Sequence, residues 1–234
     1  MLDTFLFDLD GTLLPLDTDQ FMKIYFNELG KAFHDIIEPK TLTRSIWNAT
    51  EAMVRSTEHQ TNEEVFMERF FSLIEGDKDT YMQRFNAFYD NEFMRVKSSV
   101  QDMPLIKECI NMLKEKGYQL VLATNPIFPR KAIHHRIRWA GLDPKDFIYI
   151  TSYEQNHYCK PQLKYYEEIL KDIGKNPEQC IMVGNDVQED LVVSKLDIKT
   201  YLITNHIINR SKDAFTSDYQ GTYEDFYEFV QKIG

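Results

Sequence analysis

Asp8 and Asp10, two residues apart, close the apolar run Phe5-Leu6-Phe7 and open onto Gly11-Thr12. Side chains at i and i+2 of a strand leave on the same side, so a strand here delivers both carboxylates to one spot at its end. Two anions so placed repel each other unless positive charge intervenes, and an oxygen-only ligand set suits Mg²⁺. The plainer alternative is a strand that runs out into a solvated acidic turn, so the rest of the chain must supply partners. Three further segments do. Thr124-Asn125 follows Gln119-Leu120-Val121-Leu122-Ala123, and Lys160-Pro161 precedes a helical stretch. Gly184-Asn185-Asp186 follows Cys180-Ile181-Met182-Val183, with Asp190 one helical turn later. Carboxylates, a hydroxyl, an amide and an ammonium form the set that metal-assisted phosphoryl transfer needs.

These side chains can act together only if the fold gathers them. After Val96, short β-rich runs at 119–123, 147–150, 180–183 and 200–203 alternate with helical patterns at 104–116, 129–140, 161–173 and 187–196. That alternation predicts a parallel sheet with crossover helices. The opening strand at 4–8 shares its near-continuous apolar character, as strands buried on both faces do. Between Lys40 and Met103 the only glycine or proline is Gly76, and from Phe21 onward apolar residues recur at helical spacing: Phe21, Tyr25, Leu29, Phe33 and Ile37, then Leu42, Ile46, Ala49 and Met53. Phe66, Phe70 and Leu73, then Tyr81, Phe85 and Phe88, continue the series, and core packing accounts for these aromatics. The expected fold class is α/β, a doubly wound, Rossmann-like parallel sheet (residues 1–15 and 97–234) interrupted by an all-helical domain of four helices (residues 16–96). Ligands of such sheets bind beyond the carboxyl ends of the strands, where the chemically useful segments fall.

Composition narrows the partners. The 234 residues carry 27 Lys and Arg against 37 Asp and Glu, a formal charge of −10, and no basic stripe offsets it. A nucleic-acid partner is not expected, and any phosphate site must bring its own local cations. No apolar stretch reaches the ~20 residues of a membrane span, and the first strand begins too near Met1 for a leader peptide. Cys109, Cys159 and Cys180 are odd in number and lack metal-site spacing, which fits a reduced, cytoplasmic compartment. Nothing in the sequence specifies an oligomeric state. Neither a phosphate-cradling Gly-x-x-x-x-Gly-Lys loop nor a Gly-x-Gly-x-x-Gly turn occurs, and no His-Glu-x-x-His marks a zinc site.

The four segments Asp8-Leu9-Asp10-Gly11-Thr12, Thr124-Asn125, Lys160-Pro161 and Gly184-Asn185-Asp186-x-x-x-Asp190, in this order, resemble the motifs of the haloacid dehalogenase-like hydrolase superfamily. The resemblance extends to its branch with a helical cap inserted after the first strand, and it spans the whole chain. It implies Asp8 as nucleophile forming an aspartyl-phosphate and Asp10 as acid and then base. It implies Mg²⁺ held by the Asp8 carboxylate, the Asp10 carbonyl and the Asp186 carboxylate. Thr124, the Asn125 backbone and Lys160 would hold the phosphoryl oxygens, and Asp190 would orient Lys160 or a metal-bound water.

Asn185 departs from the acidic residue that many relatives carry at this point, which leaves Asn185 or Asp186 as the direct ligand. Cys159 stands where a small residue is frequent, either as a thiol activated by the neighbouring ammonium or as an inert buried one. Dehalogenases of the superfamily lack the second carboxylate because a halide leaves without a proton, so Asp10 implies an oxygen leaving group. The expected activity is Mg²⁺-dependent hydrolysis of a small phosphate ester such as a sugar phosphate or nucleoside monophosphate. A phosphomutase and a silent phospho-ligand binding protein are the alternatives. The cap would select the leaving group, with the polar stretch Arg55–Thr61 facing the site.

Overall fold

A computed structural model describes residues 1–234. Six strands form one wholly parallel sheet in the order β3-β2-β1-β4-β5-β6. They are β1 (Thr4–Phe7), β2 (Gln119–Leu122), β3 (Tyr149–Ile150), β4 (Cys180–Gly184), β5 (Lys199–Ile203) and β6 (Tyr219–Gly221). The order runs outward from β1 in both directions, so β1 marks the switch point at which such sheets open a crevice. Phe7 lies level with Leu122 of β2 and with Val183 of β4. The residues that follow, Asp8, Ala123 and Gly184, therefore leave the sheet side by side. Register alone brings three distant segments together.

Between β1 and β2 come α1 (Thr18–Ala32), α2 (Pro39–Arg55), α3 (Asn62–Phe71) and α4 (Lys78–Asp90), then a 3-10 stretch, Glu92–Ser99. Their starts are capped by acidic or hydroxyl side chains that take up free N–H groups. Asp17 accepts from the Gln20 N–H at 2.9 Å and Asp77 from that of Thr80 at 2.8 Å, and Thr61 and Glu64 cap each other reciprocally. The stripe Phe21, Tyr25, Leu29 and Phe33 is buried as its period requires, against Phe85, Phe88 and Phe93. Apolar packing continues from these helices into the sheet through Leu9, Leu13, Leu14 and Leu16.

Strand burial explains the unbroken apolar runs. Phe5, Phe7, Leu120, Leu122, Ile181 and Val183 turn to one face, which is covered by α5 (Pro104–Glu115), by Ile133 and Ile137 of α6 (Arg130–Trp139), and by the C-terminal helix. Leu6, Val121, Ala123, Cys180 and Met182 turn to the other, against Tyr165, Tyr166 and Ile169 of α7 (Leu163–Ile173). That alternation is the period of two expected of a strand. The C-terminal helix, α8 (Tyr223–Lys232), begins in a capping box of Thr222 and Asp225.

Two expectations are corrected. The segment 187–196 is not an α-helix but turns followed by a 3-10 stretch, Leu191–Leu196. Asp186 takes the N–H groups of Gln188 and Glu189, Asp190 turns back onto those of Asn185 and Asp186, and Asp197 at φ 62° ends the 3-10 stretch. A sixth strand, β6, joins the edge; its three residues are too few and too exposed to show a pattern in the sequence. No helix is long and apolar enough to cross a membrane.

Candidate active site

Asp8, Asp10, Thr124, Asn125, Asn185, Asp186 and Asp190 line one cavity of about 210 Å³ at the carboxyl ends of β1, β2 and β4. Lys160 reaches it from beneath, on the loop before α7. Its Nζ donates to Asp8 Oδ1 at 2.9 Å and to Asp190 Oδ1 at 2.7 Å. An ammonium has three donors, so one remains for a ligand. Burial alone would lower the Lys160 pKa, but Asp190 and Asp8 hold it well above the ordinary lysine value, and it stays charged. Burial pushes Asp8 up to about 8; Lys160 pulls it down, while Asp190 and Asp10 add to the rise. The site is short of positive charge.

Asp10 shows a division of labour. Arg136, from α6, bonds the Asp10 Oδ2 atom, whereas Oδ1 is enclosed and has no partner. Enclosure raises the Asp10 carboxyl above its usual range, against the pull of Arg136 and Lys160. The guanidinium is itself buried, with its carbon 4.6 Å from the Phe128 ring centre. A cation there holds one carboxylate oxygen still and leaves the other free to carry a proton.

The remaining expected residues fall into place around this pair. The carbonyl of Thr124 accepts from the hydroxyls of Thr151 and Tyr165 at 2.7 and 2.8 Å, which fixes the backbone and leaves the Thr124 hydroxyl without a protein partner. The Asn125 side chain accepts from the Lys160 N–H at 3.2 Å and donates to Glu189 at 3.1 Å, tying three segments together. Asn185 is occupied at both ends: its Oδ1 accepts from Thr12 at 2.9 Å and its Nδ2 donates to the His206 carbonyl at 2.7 Å. Gly11, at φ +83°, lies so close that an added Cβ would come within 2.4 Å of Asn185 Nδ2. Asn185 thus docks the first segment onto the fourth with both amide atoms engaged, whereas the neighbouring Asp186 brings a carboxylate to the cavity.

Asp190 is the keystone of the fourth segment. One oxygen holds Lys160 and the other accepts from the N–H groups of Asn185 and Asp186 at 3.0 and 2.9 Å. A Cβ at Gly184 would lie 2.1 Å from Asp190 Oδ2, and these bonds leave the carboxylate nowhere to retreat. Gly184→Ala should therefore cost on the order of 1–3 kcal/mol or more by overpacking. A urea midpoint equal to that of the wild type would show that this contact is not as tight as described.

No three carboxylate, imidazole or thiol side chains converge into a cation cage. Oxygens suited to a hard divalent cation are nonetheless present. Asp8 offers its second oxygen, and the Asp10 carbonyl accepts no backbone hydrogen bond. Asp186 is shared at 2.7 Å with Arg210, whose side chain is 54% exposed and also bonds Glu189 at 3.3 Å. With every carboxyl ionised, five carboxylates (Asp8, Asp10, Asp186, Glu189 and Asp190) meet three cations (Arg136, Lys160 and Arg210), a formal excess of two negative charges. One divalent cation offsets that excess, so the donor set fits such an ion.

Sequence reading missed Arg136, Glu189 and Arg210. Arg136 had no visible signal, being one of three arginines on α6. The stretch Arg55–Thr61 lines no part of the cavity around Asp8, and Arg55 is exposed beside Glu51. Cys159 is buried, and burial raises its thiol pKa, so of the two alternatives it is the inert one.

A family model described as haloacid dehalogenase-like hydrolase matches residues 2–192. The chain is 27% identical over 109 residues to a glyceraldehyde 3-phosphate phosphatase of Methanothermobacter thermautotrophicus, a match covering 43% of this chain and 44% of that protein. It is 25% identical over 194 residues to the pyrophosphatase PpaX of Anoxybacillus flavithermus, covering 83% of this chain and 79% of that one. Among solved structures, the L-2-haloacid dehalogenase of Xanthobacter autotrophicus superposes with a TM-score of 0.60 at 13% identity over the full length of both chains. The hydrolase YfnB of Bacillus subtilis, bound to magnesium, does so with a TM-score of 0.57 at 20% identity, covering 99% of each chain.

Proposed function

The chain belongs to the haloacid dehalogenase-like hydrolases, and from that premise we propose that it is a Mg²⁺-dependent phosphatase acting on the phosphate monoester of a small metabolite. The observation that carries this reading is the pairing of two carboxylates with different restraints at the end of β1. Asp8 is held by Lys160 on one oxygen, and Asp10 is held by Arg136 on one oxygen. A halide leaves without a proton, whereas an ester oxygen needs one, and a second carboxyl beside Asp8 is the group that could give it. The phosphatase names of the two curated relatives support the same class.

In this reading an Asp8 oxygen attacks phosphorus while the Asp10 carboxyl protonates the departing alcohol oxygen. Asp10, now a carboxylate, takes a proton from water, which attacks the aspartyl-phosphate at phosphorus, frees Asp8 and releases phosphate. The Thr124 hydroxyl, the Asn125 N–H and the third Lys160 donor hold the phosphoryl oxygens as charge spreads over them. The Asp8 carboxylate, the Asp10 carbonyl and the Asp186 carboxylate would hold Mg²⁺, with Arg210 yielding its place. Bound there, the ion neutralises the charge that separates an anionic nucleophile from an anionic ester. Residues 16–96 serve as the cap over the leaving group, on a core of residues 1–15 and 97–234.

Phosphate release from a panel of small esters is the test. Release is expected with Mg²⁺, loss with a chelator, and recovery when Mg²⁺ is restored. Absence of release from every ester in the presence of Mg²⁺ would overturn the phosphatase reading. Exchange of phosphate between positions without net release would identify a mutase instead.

A further inference from the structure

Beside the cavity around Asp8 lies a second one of about 270 Å³, enclosed by α1, α2, α3 and α4 and by the loop after Asn125. Met22, Ile127 and Phe128 wall both. The boundary between them is thus one flexible thioether and two apolar side chains. They adjoin the residues assigned to the phosphoryl group.

We infer that this second cavity receives the alcohol portion of the ester, and that this alcohol carries a flat apolar or aromatic ring and no second anion; the inference rests on the phosphatase reading. The lining supplies the first argument. Of its 19 residues 13 are hydrophobic, and they include the rings of Phe26, Trp47, Phe66 and Phe85. Apolar surface predominates in this lining, and a flat ring buries more of it than a small polyol does. Trp47 supplies the second. It is 51% exposed and tilted 31° against Phe26, a large ring left half open where it borders the cavity. Charge supplies the third. Glu63 and Glu154 face the space, and its one ammonium, Lys131, is paired with Asp90 at 2.8 Å. A second phosphate or carboxylate on the ligand would meet two carboxylates and no free cation. Pyrophosphate, whose leaving group is another phosphate, would leave the space unfilled.

The test compares phenethyl phosphate with ethyl phosphate, whose alcohols are of nearly equal acidity, so that leaving-group chemistry cancels. In the wild type, kcat/KM for the phenethyl ester should exceed that for the ethyl ester by at least about tenfold, chiefly through KM. A carboxylate in the para position of the ring should cancel the gain. Thr50→Phe, which fills the cavity from α2, should bring the ratio of the two esters towards one; a general loss of activity drops out of a ratio. The wild-type comparison stands even where that variant does not fold. Binding gives a readout apart from turnover: Trp47 emission should respond to phenethyl phosphate in Asp8→Asn and not to ethyl phosphate. Equal kcat/KM for the two esters in an enzyme that hydrolyses both would overturn the inference and leave the phosphatase standing. Hydrolysis of neither, with no Trp47 response, would overturn the inference, and the wider ester panel then decides the phosphatase. Hydrolysis of neither, with a Trp47 response, would keep the ring site and leave the phosphatase to the same panel.

Discussion

Asp8→Asn should end phosphate release, with kcat falling on the order of 10⁴-fold or more, as for other nucleophile replacements, while the fold survives. The amide is nearly isosteric, and its oxygen can still accept from Lys160, which keeps its ion pair with Asp190 at 2.7 Å. Stability adds a second, independent expectation. Burial pushes the Asp8 carboxyl up to about 8 in the folded protein, against roughly 3.9 for an unfolded aspartate. A raised acid means that ionisation opposes folding. The penalty is absent below about pH 4, grows as pH rises towards 8, and is constant above that. In chelator, then, Asp8→Asn should be at least as stable as the wild type, and its advantage should widen between pH 5 and pH 8. Thermal melts at the two pH values check this. A variant that retains more than a hundredth of wild-type turnover would remove Asp8 as the nucleophile, and one that melts several degrees lower would make its inactivity a folding defect.

What the sequence revealed of this site, and what it hid, follows from how each residue gets there. Asp8, Thr124 and Asp186 follow apolar strands, and strands are legible because burial on both faces forces near-continuous apolar runs. Once Phe7, Leu122 and Val183 are paired in register, the residues after them meet without further instruction. Lys160 was legible only in company: a Lys-Pro pair alone is common, and its place in order among the other three segments marked it.

Arg136 came with no such marker. It sits in a helix with Arg130 and Arg138, and only the turn of α6 under Phe128 decides which of the three is buried against Asp10. Arg210 lies on a loop whose path is set by Ile208 bonding the backbone of Asn185. The helix expected at 187–196 failed for a related reason. Its carboxylates at 186 and 190 are used by the backbone of the site, and a periodicity argument cannot see that competition. The helical stripe from Phe21 to Phe33 was the easier case, since period and burial agree along it.

Lys160→Met should damage both stability and turnover, and a second substitution can separate the two effects. Lys160 and Asp190 are each 1% exposed, and Asp8 lies on the other side of the ammonium. Methionine follows the aliphatic stem but removes the charge, so two carboxylates are left buried against each other. Breaking a buried pair in this way costs about 3–5 kcal/mol. Turnover should fall on the order of 10²–10³-fold, the usual loss when one donor to the developing oxyanion is removed. Replacing Asp190 by Asn in the same chain removes one of the stranded charges, while the amide oxygen can still take the N–H groups of Asn185 and Asp186. The double variant should therefore recover about 0.5–3 kcal/mol over Lys160→Met, the range of coupling between residues in contact, and recover no activity. Urea unfolding of the four proteins of the cycle reads the first quantity, and phosphate release reads the second. Equal midpoints for the single and double variants would mean that stranded charge is not what destabilises the site. Returned activity would mean that Lys160 acts only by neutralising Asp190, not by holding the phosphoryl group.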